Sequence, residues 1–412
     1  MIKWVEADGD LRVLVLTTSW CEYCDKQLEE IKGIDDEFKE FEFIHEDADE
    51  RPDLAIRYSP QIYPSISIIS KEGVMGGTYG FVTRDKVVEL LNYARKVMSE
   101  GKLVVPPKIT KEVKKLDPNY VFNSILSNCE GYFDWIEGGF EREPKFVSPE
   151  VLLLFMKFDD FYHQSMVTIT LDKAIENLWG NPGFYLYSKT IDWKEPYMVK
   201  MADFNSLMII ALLKAYEKYK DEKYLDYAVK TGEFILSLVR KDGLIENGIT
   251  LKGWDNRAFL SVNAIAGEAL SELYEFTKDT KFKDEVDFLK GSLLNADSHL
   301  IGSRCENVYL MDLAYLLYFT RDRVVLNTLR RYESASGAYY DITLEFAKRQ
   351  RIGRFKFLLD NSILSLAFLR MGDKEYAKRI VDDLLESYGI YTYFNQAVYA
   401  LTLGEIYGKF SS

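Results

Sequence analysis

Two periodicities divide the chain near residue 100. Before it, short apolar runs alternate with helical patterns; from Asn119 onward strand-like alternation nearly vanishes and apolar residues recur at helical spacing in paired runs. The stretch 12–18 is β-branched and leucine-rich on consecutive residues, which predicts a central strand buried on both faces. A helical pattern over 22–38 follows, with Leu28 and Ile31 turned inward. Residues 41–47 read as a strand and 49–58 as a short helix or turn, with Pro52 tolerated near its start. Residues 65–70 and 74–79 read as strands joined by Lys71-Glu72-Gly73, and 83–98 as a helix with Val87, Leu90, Leu91 and Ala94 on one side.

The remainder predicts helices at 119–130, 149–163, 167–178, 202–219, 222–239, 257–276, 282–289, 306–319, 323–332, 361–370, 375–386 and 393–407. Short turns such as Lys220-Asp221, Lys278-Asp279 and Gly372-Asp373 separate many of them. Helices joined this way either close as a toroid of hairpins or stack as an open array. Several connections are rich in glycine and aromatics: 131–135, 138–140, 180–185 and 337–340. In a toroid they would gather at one mouth, where aromatic faces and carboxylates suit a sugar; in any single loop the same residues also serve simple packing. Pro106-Pro107 and five lysines mark 101–118 as a linker, so the expected domains are 1–100, the linker, and 119–412.

Composition narrows the function. The 412 residues carry a formal charge of -13, which argues against a nonspecific nucleic-acid binder. Four cysteines are too few for a disulfide-built secreted domain, and no apolar stretch has the length of a membrane span. The N-terminus has no signal-peptide pattern, so the expected location is cytoplasmic, with neither a nucleic-acid nor a membrane partner. Gly76-Gly77-Thr78-Tyr79-Gly80 lacks the lysine and helix context of a phosphate loop, and no cofactor is expected.

The clearest chemical signal is Ser19-Trp20-Cys21-Glu22-Tyr23-Cys24, set between the first strand and the first helical pattern. A thiol at a helix N-terminus is favoured as thiolate by the free N–H groups, and a second sulfur three residues on allows a disulfide to form and exchange. Zinc would need two further ligands. Cys129 and Cys305 are distant, and His45, His163 and His299 show no ligand spacing, so no metal is expected.

The βαβαββα order over residues 8–98 resembles the thioredoxin fold, with Tyr63-Pro64 before the third strand as its second mark. The resemblance implies a cis proline facing the cysteine pair, Cys21 as attacking thiol, Cys24 as resolving thiol, and Trp20 and Tyr63 beside them. It also shows departures. Glu22-Tyr23 replaces Gly-Pro between the cysteines, and Val15 stands where thioredoxin has a buried aspartate. Glu22 adds a negative charge that opposes the helix dipole at Cys21. A structural or idle disulfide is the alternative.

Asp134-Trp135-Ile136-Glu137-Gly138-Gly139-Phe140 and residues 144–149, with Asp203-Phe204-Asn205-Ser206, Trp254-Asp255-Asn256-Arg257 and Asp360-Asn361-Ser362, resemble the thioredoxin-domain-containing family of spermatogenesis-associated protein 20 and its bacterial and archaeal relatives. That resemblance implies a thioredoxin-like domain followed by an (α/α)6 toroid similar to six-hairpin glycosidases and N-acylglucosamine 2-epimerases. Relatives carry histidines around the cysteine pair where this chain has Glu22, Tyr23 and Asp25. The expected cavity residues are Asp134, Trp135, Glu137, Glu141, Trp254, Asp255, Arg257 and Asp360, with Glu137, Glu141, Asp255 and Asp360 as the acid–base candidates a hydrolase needs. His163 and His299 lie outside these motifs, which speaks against epimerase chemistry. The leading expectation is thiol-disulfide exchange with a protein disulfide partner, the helical domain selecting partner or ligand. The alternatives are carbohydrate binding or processing in the toroid, and a non-catalytic scaffold.

Overall fold

The computed structural model describes residues 1–59, 62–100, 116–303 and 307–410. They form two compact units, Met1–Glu112 with Glu345–Ile352, and Val113–Leu344 with Gly353–Ser412. The predicted linker falls largely on 101–115, outside the described residues; Asp117 and Pro118 belong to the first turn of the next helix, whose cap is the Asp117 carboxylate.

The first unit runs β1 (Leu11–Thr17), α1 (Cys24–Glu30), β2 (Glu42–Asp47), α2 (Pro52–Tyr58), β3 (Ser65–Ser70), β4 (Gly73–Tyr79) and α3 (Arg84–Ser99). The sheet order is β2-β1-β3-β4, with β1 parallel to β2, antiparallel to β3, and β3 antiparallel to β4. This is the thioredoxin-like arrangement. The continuous apolar run of β1 follows from its central place: Val13 and Val15 enter one core with Ile31, Phe43 and Leu91, while Leu14 and Leu16 enter another with Trp4, Ile44 and Leu54. α1 is shorter than the predicted 22–38. Gly33 takes φ +75°, and the chain continues in turns that still bury Ile34 and Phe38. The segment 345–352 contributes Gln350, whose carbonyl accepts from Trp4 Nε1 at 2.9 Å.

The second unit contains α4 (Pro118–Gly131), α5 (Pro149–Phe155), α6 (Phe161–Asn177), β5 (Lys200–Met201), α7 (Ala202–Tyr219), α8 (Glu222–Ser237), β6 (Gly248–Thr250), β7 (Gly253–Asp255), α9 (Leu260–Thr277), α10 (Thr280–Leu293), α11 (Leu310–Thr320), α12 (Val325–Leu329), α14 (Leu358–Arg370), α15 (Lys374–Leu384) and α16 (Tyr393–Tyr407); α13 (Leu344–Gln350) lies almost wholly in the first unit. Helices α5, α7, α9, α11, α14 and α16 each pack against the next, and α16 packs against α5. The ring is therefore closed, an (α/α)6-like toroid and not an open array. Outside it stand α6, α8, α10, α12 and α15, each after its inner partner, while α4 packs on α16 and completes the sixth hairpin.

Sequence explains the two layers. The inner α9 buries every residue from Leu260 to Leu270, whereas the outer α15 buries only the stripe Ala377, Ile380, Val381 and Leu384. The inner-to-outer turns are minimal. Lys220, Lys278 and Arg321 take left-handed C-caps, and the aspartate after each accepts from a backbone N–H at the start of the next helix. The long connections enter at the opposite end, the N-termini of the inner helices, and there the predicted Gly- and aromatic-rich loops collect. Three buried asparagines fasten them. Asn205, Asn263 and Asn361, in the first turns of α7, α9 and α14, each bond both the N–H and the C=O of one incoming loop residue, Phe184, Ile245 and Tyr339. The predicted helix 149–163 is in fact two, because Asp160 caps α6 through His163 N. The sequence pattern also passed over the small antiparallel sheet β5-β6-β7 and α13.

Candidate functional site

The inner-helix N-termini bring together acids that lie far apart in sequence. Glu150 sits in the first turn of α5, Asp203 in that of α7 and Asp360 in that of α14. All three act electrostatically on one phenol, Tyr315 of α11, whose ionisation is pushed up by burial and by those three charges. Burial and the charge of Asp203 raise the Glu150 carboxyl to about 7. Asp203 is exposed, yet the surrounding protein raises its carboxyl too. Asp360 is 5% exposed and raised well above the usual carboxylate range by burial, then by Asp341 and Asp312. No other described residue donates a hydrogen bond to the carboxylates of Glu150 or Asp360, and Asp203 receives the N–H of Phe204 at 2.7 Å.

Two further groups adjoin this cluster. Tyr393, at the start of α16, is within range of both Glu141 and Glu150 and hydrogen-bonds Ser148 at 2.9 Å. Asp312 of α11 is fully buried and accepts from Ser261 N, Tyr309 N and His299 Nδ1, the last at 2.7 Å. His299, set aside on motif grounds, thus stands one residue from the acid cluster, packed between Phe259 and Tyr309.

The opposite end of the ring is built differently. Glu268 of α9, 2% exposed, is held by Arg321 and Arg370. Glu272 lies between Lys214 and Arg370, whose guanidinium stacks 3.7 Å over Tyr318. Carboxylates and cations from α7, α9, α11 and α14 are matched there.

The residues expected in the cavity separate into groups. Asp360 and Glu141 belong with the mouth cluster. Burial raises the Glu141 carboxyl against the opposing hydrogen bond from Tyr393. Asp134 instead accepts from Lys145 Nζ at 2.7 Å, and Lys145 is fully buried. Burial works against the Asp134 charge, but Lys145 and the N–H groups of Ile136 and Glu137 hold it below the usual range. Glu137 offers its carbonyl to the Trp193 indole. Trp135 packs on Phe133 and Tyr162 and is 49% exposed. Trp254 is 58% exposed on β7. Asp255 and Arg257 close on each other, with Arg257 Nη2 at 2.7 Å and Asn247 Nδ2 at 2.9 Å from Asp255 Oδ2. A cleft of about 780 Å³ beside Arg257 is lined by Arg240, Asn256 and Ile301. Its two arginines are already paired to Asp242 and Asp255, and no mouth acid lines it, so the mouth cluster is the stronger site.

In the first unit Cys21 and Cys24 form a disulfide, Cys21 in the turn and Cys24 as the first residue of α1. Both are buried, Cys21 slightly less so. The Tyr63–Pro64 peptide is cis. Trp20 meets Tyr63 edge-on at 5.6 Å and donates to Asp49 at 3.3 Å. Tyr23 packs at 6.1 Å from Phe81, and Glu22 is exposed. Val15 pairs with His45, whose ring bonds Thr17 Oγ1 at 2.8 Å. Cys129 is buried, its thiol raised to about 12, first by burial; Cys305 lies outside the described residues. Among the described residues no group of three or more His, Cys, Asp or Glu is placed to hold a metal, and no helix is long and apolar enough to cross a membrane.

Sequence reading missed Glu150, Asp203 and Tyr315 as site residues. The available signal for the two acids was positional: each stands in the first turn of an inner helix, as Asp360 does, after a long loop. No family model and no curated protein matches the chain. Solved structures do. A cellobiose 2-epimerase from Spirochaeta thermophila aligns with TM-score 0.55 and 12% identity over 71% of this chain and 98% of that one. A sugar epimerase from a ruminal bacterium gives 0.54 and 13% over 65% and 84%. An α-amylase from Clostridium perfringens gives 0.54 and 12% over 71% and 99%. At this identity the likeness establishes the fold, a six-hairpin toroid related to those of epimerases and glycosidases.

Proposed function

We propose that the mouth of the toroid binds and processes a carbohydrate. The observation that carries this reading is the convergence of Glu150, Asp203 and Asp360, from three inner helices, around Tyr315. Proton transfer to and from a sugar needs one group that carries a proton at neutral pH and another that can take one. Glu150, raised to about 7, suits the donor; solvent-accessible Asp203 suits the acceptor. The names of the similar structures, a cellobiose 2-epimerase, a sugar epimerase and an α-amylase, point to the same substrate class. His299 on Asp312 reopens epimerisation beside hydrolysis. The test is NMR-monitored turnover of a panel of neutral mono- and disaccharides by the full chain. Glu150→Gln is expected to lower the rate by about 10²–10⁴-fold with the fold intact. Turnover unaffected by Glu150→Gln would remove the assigned role.

A second reading concerns the first unit alone. The Cys21–Cys24 disulfide ahead of α1 favours thiol-disulfide exchange with a protein partner, in line with the resemblance to the spermatogenesis-associated protein 20 family. Once an external dithiol has reduced the pair and left as its own disulfide, the Cys21 thiolate attacks a partner disulfide and Cys24 displaces the mixed disulfide, leaving the partner reduced and Cys21–Cys24 oxidised. Reduction of a model protein disulfide, compared between the native chain and Cys21→Ala, decides it; equal rates exclude the exchange.

A further inference from the structure

The mouth acids are unusual in what they lack. Among the described residues, the only side-chain charges that set the state of Glu150, Asp203 or Asp360 belong to other carboxylates. Asp360 is the extreme case, nearly buried and with no donor from any other described residue. The groups acting on it or acted on by it come from every neighbouring element that carries one: Asp341 in the preceding loop, Asp312 and Tyr315 of α11, and Tyr391 ahead of α16. Asp312 is further engaged by His299. Buried carboxylates without a counter-ion are costly unless they stay protonated or a ligand supplies the cation. At the other end of the ring α7, α11 and α14 bring lysine and arginine to the acids of α9, whereas the cation that acts on Glu141 at the mouth, Lys145, is fully buried and paired to Asp134.

Resting on the carbohydrate reading, we propose that the mouth selects a sugar bearing a free primary amine, whose ammonium seats on Asp360, and that it refuses anionic sugars such as uronates. An ammonium supplies up to three donors to carboxylates that have few of their own. A uronate would place a further negative charge among acids that already repel one another. Seating a cation on Asp360 favours its ionised form, so a proton held in the free protein is released to solvent.

Isothermal titration of the full chain with glucosamine, glucose, N-acetylglucosamine and glucuronate, at mildly acidic pH and in two buffers of different ionisation enthalpy, tests this. Glucosamine is expected to bind about tenfold more tightly than glucose or N-acetylglucosamine, with a buffer-dependent heat that reports proton release. Glucuronate is expected not to bind. Asp360→Asn should abolish both the preference and the proton release; Asp360→Glu, which keeps a carboxylate at this position, should retain both and guards against misfolding of the first variant. Glucose binding with no preference for the amine overturns this inference and leaves the carbohydrate reading in place. Failure of all four sugars to bind overturns both.

Discussion

At one end of the inner-helix ring, Glu268 and Glu272 meet Arg321, Arg370 and Lys214. At the other, Asp203 acts on Glu150, and both act with Asp360 on Tyr315. The helix dipole favours acids at N-termini and bases at C-termini, but it accounts for only part of the contrast. It does not explain why the mouth acids are raised and unpaired. Matched charges fasten four helices together, whereas the unmatched ones leave carboxyls raised by burial and by other acids. The difference separates a structural network from a candidate site on the same six helices.

The contrast breaks most sharply at the paired end. Glu268→Ala leaves Arg370 without its buried partner and is expected to destabilise the protein by about 3–5 kcal/mol, read from the denaturant midpoint. A loss below about 1 kcal/mol would mean the network fastens nothing. Next is the scaffold that holds the mouth. Asn263→Ala orphans the N–H and C=O of Ile245, and roughly 2–3 kcal/mol should be lost.

At the unpaired end the sign reverses. A carboxyl raised in the folded state binds its proton more tightly there than in the unfolded chain, so stability falls as pH rises from the unfolded value of 4.5 through about 7. Glu150→Gln should therefore stabilise by about 1–2 kcal/mol at alkaline pH, a figure discounted because solvent reaches this residue, and the gain should vanish in acid. Thermal unfolding across that range checks it; a gain independent of pH would contradict the assigned protonation. The smallest effect is expected at Trp254, whose removal to alanine should change stability by no more than about 0.5 kcal/mol because it is exposed.

Much of the architecture was legible because it is local. The unbroken apolar run of β1 announced a central strand, and Lys-Asp turns announced helical hairpins. Closure of the ring was not legible in the helical pattern, since packing of α16 on α5 joins the two ends of the unit, and only the family resemblance implied it. The site was hidden for the same reason. Glu150, Asp203 and Asp360 are each a single acid in a helical first turn, where acids are ordinary, and only closure sets them around Tyr315. Asp255 and Arg257 misled in the other direction: two residues apart, they satisfy each other. Asp360 was found through its motif, but its isolation from cations is a property of three dimensions.

The most direct measurement is a crystal structure of the chain soaked with a neutral disaccharide. Sugar density at the inner-helix N-termini, with hydroxyls on Glu150 or Asp203, is the expected result. Sugar density confined to other surfaces, or none while the mouth acids face only protein, would contradict the assignment of this end of the ring as the site.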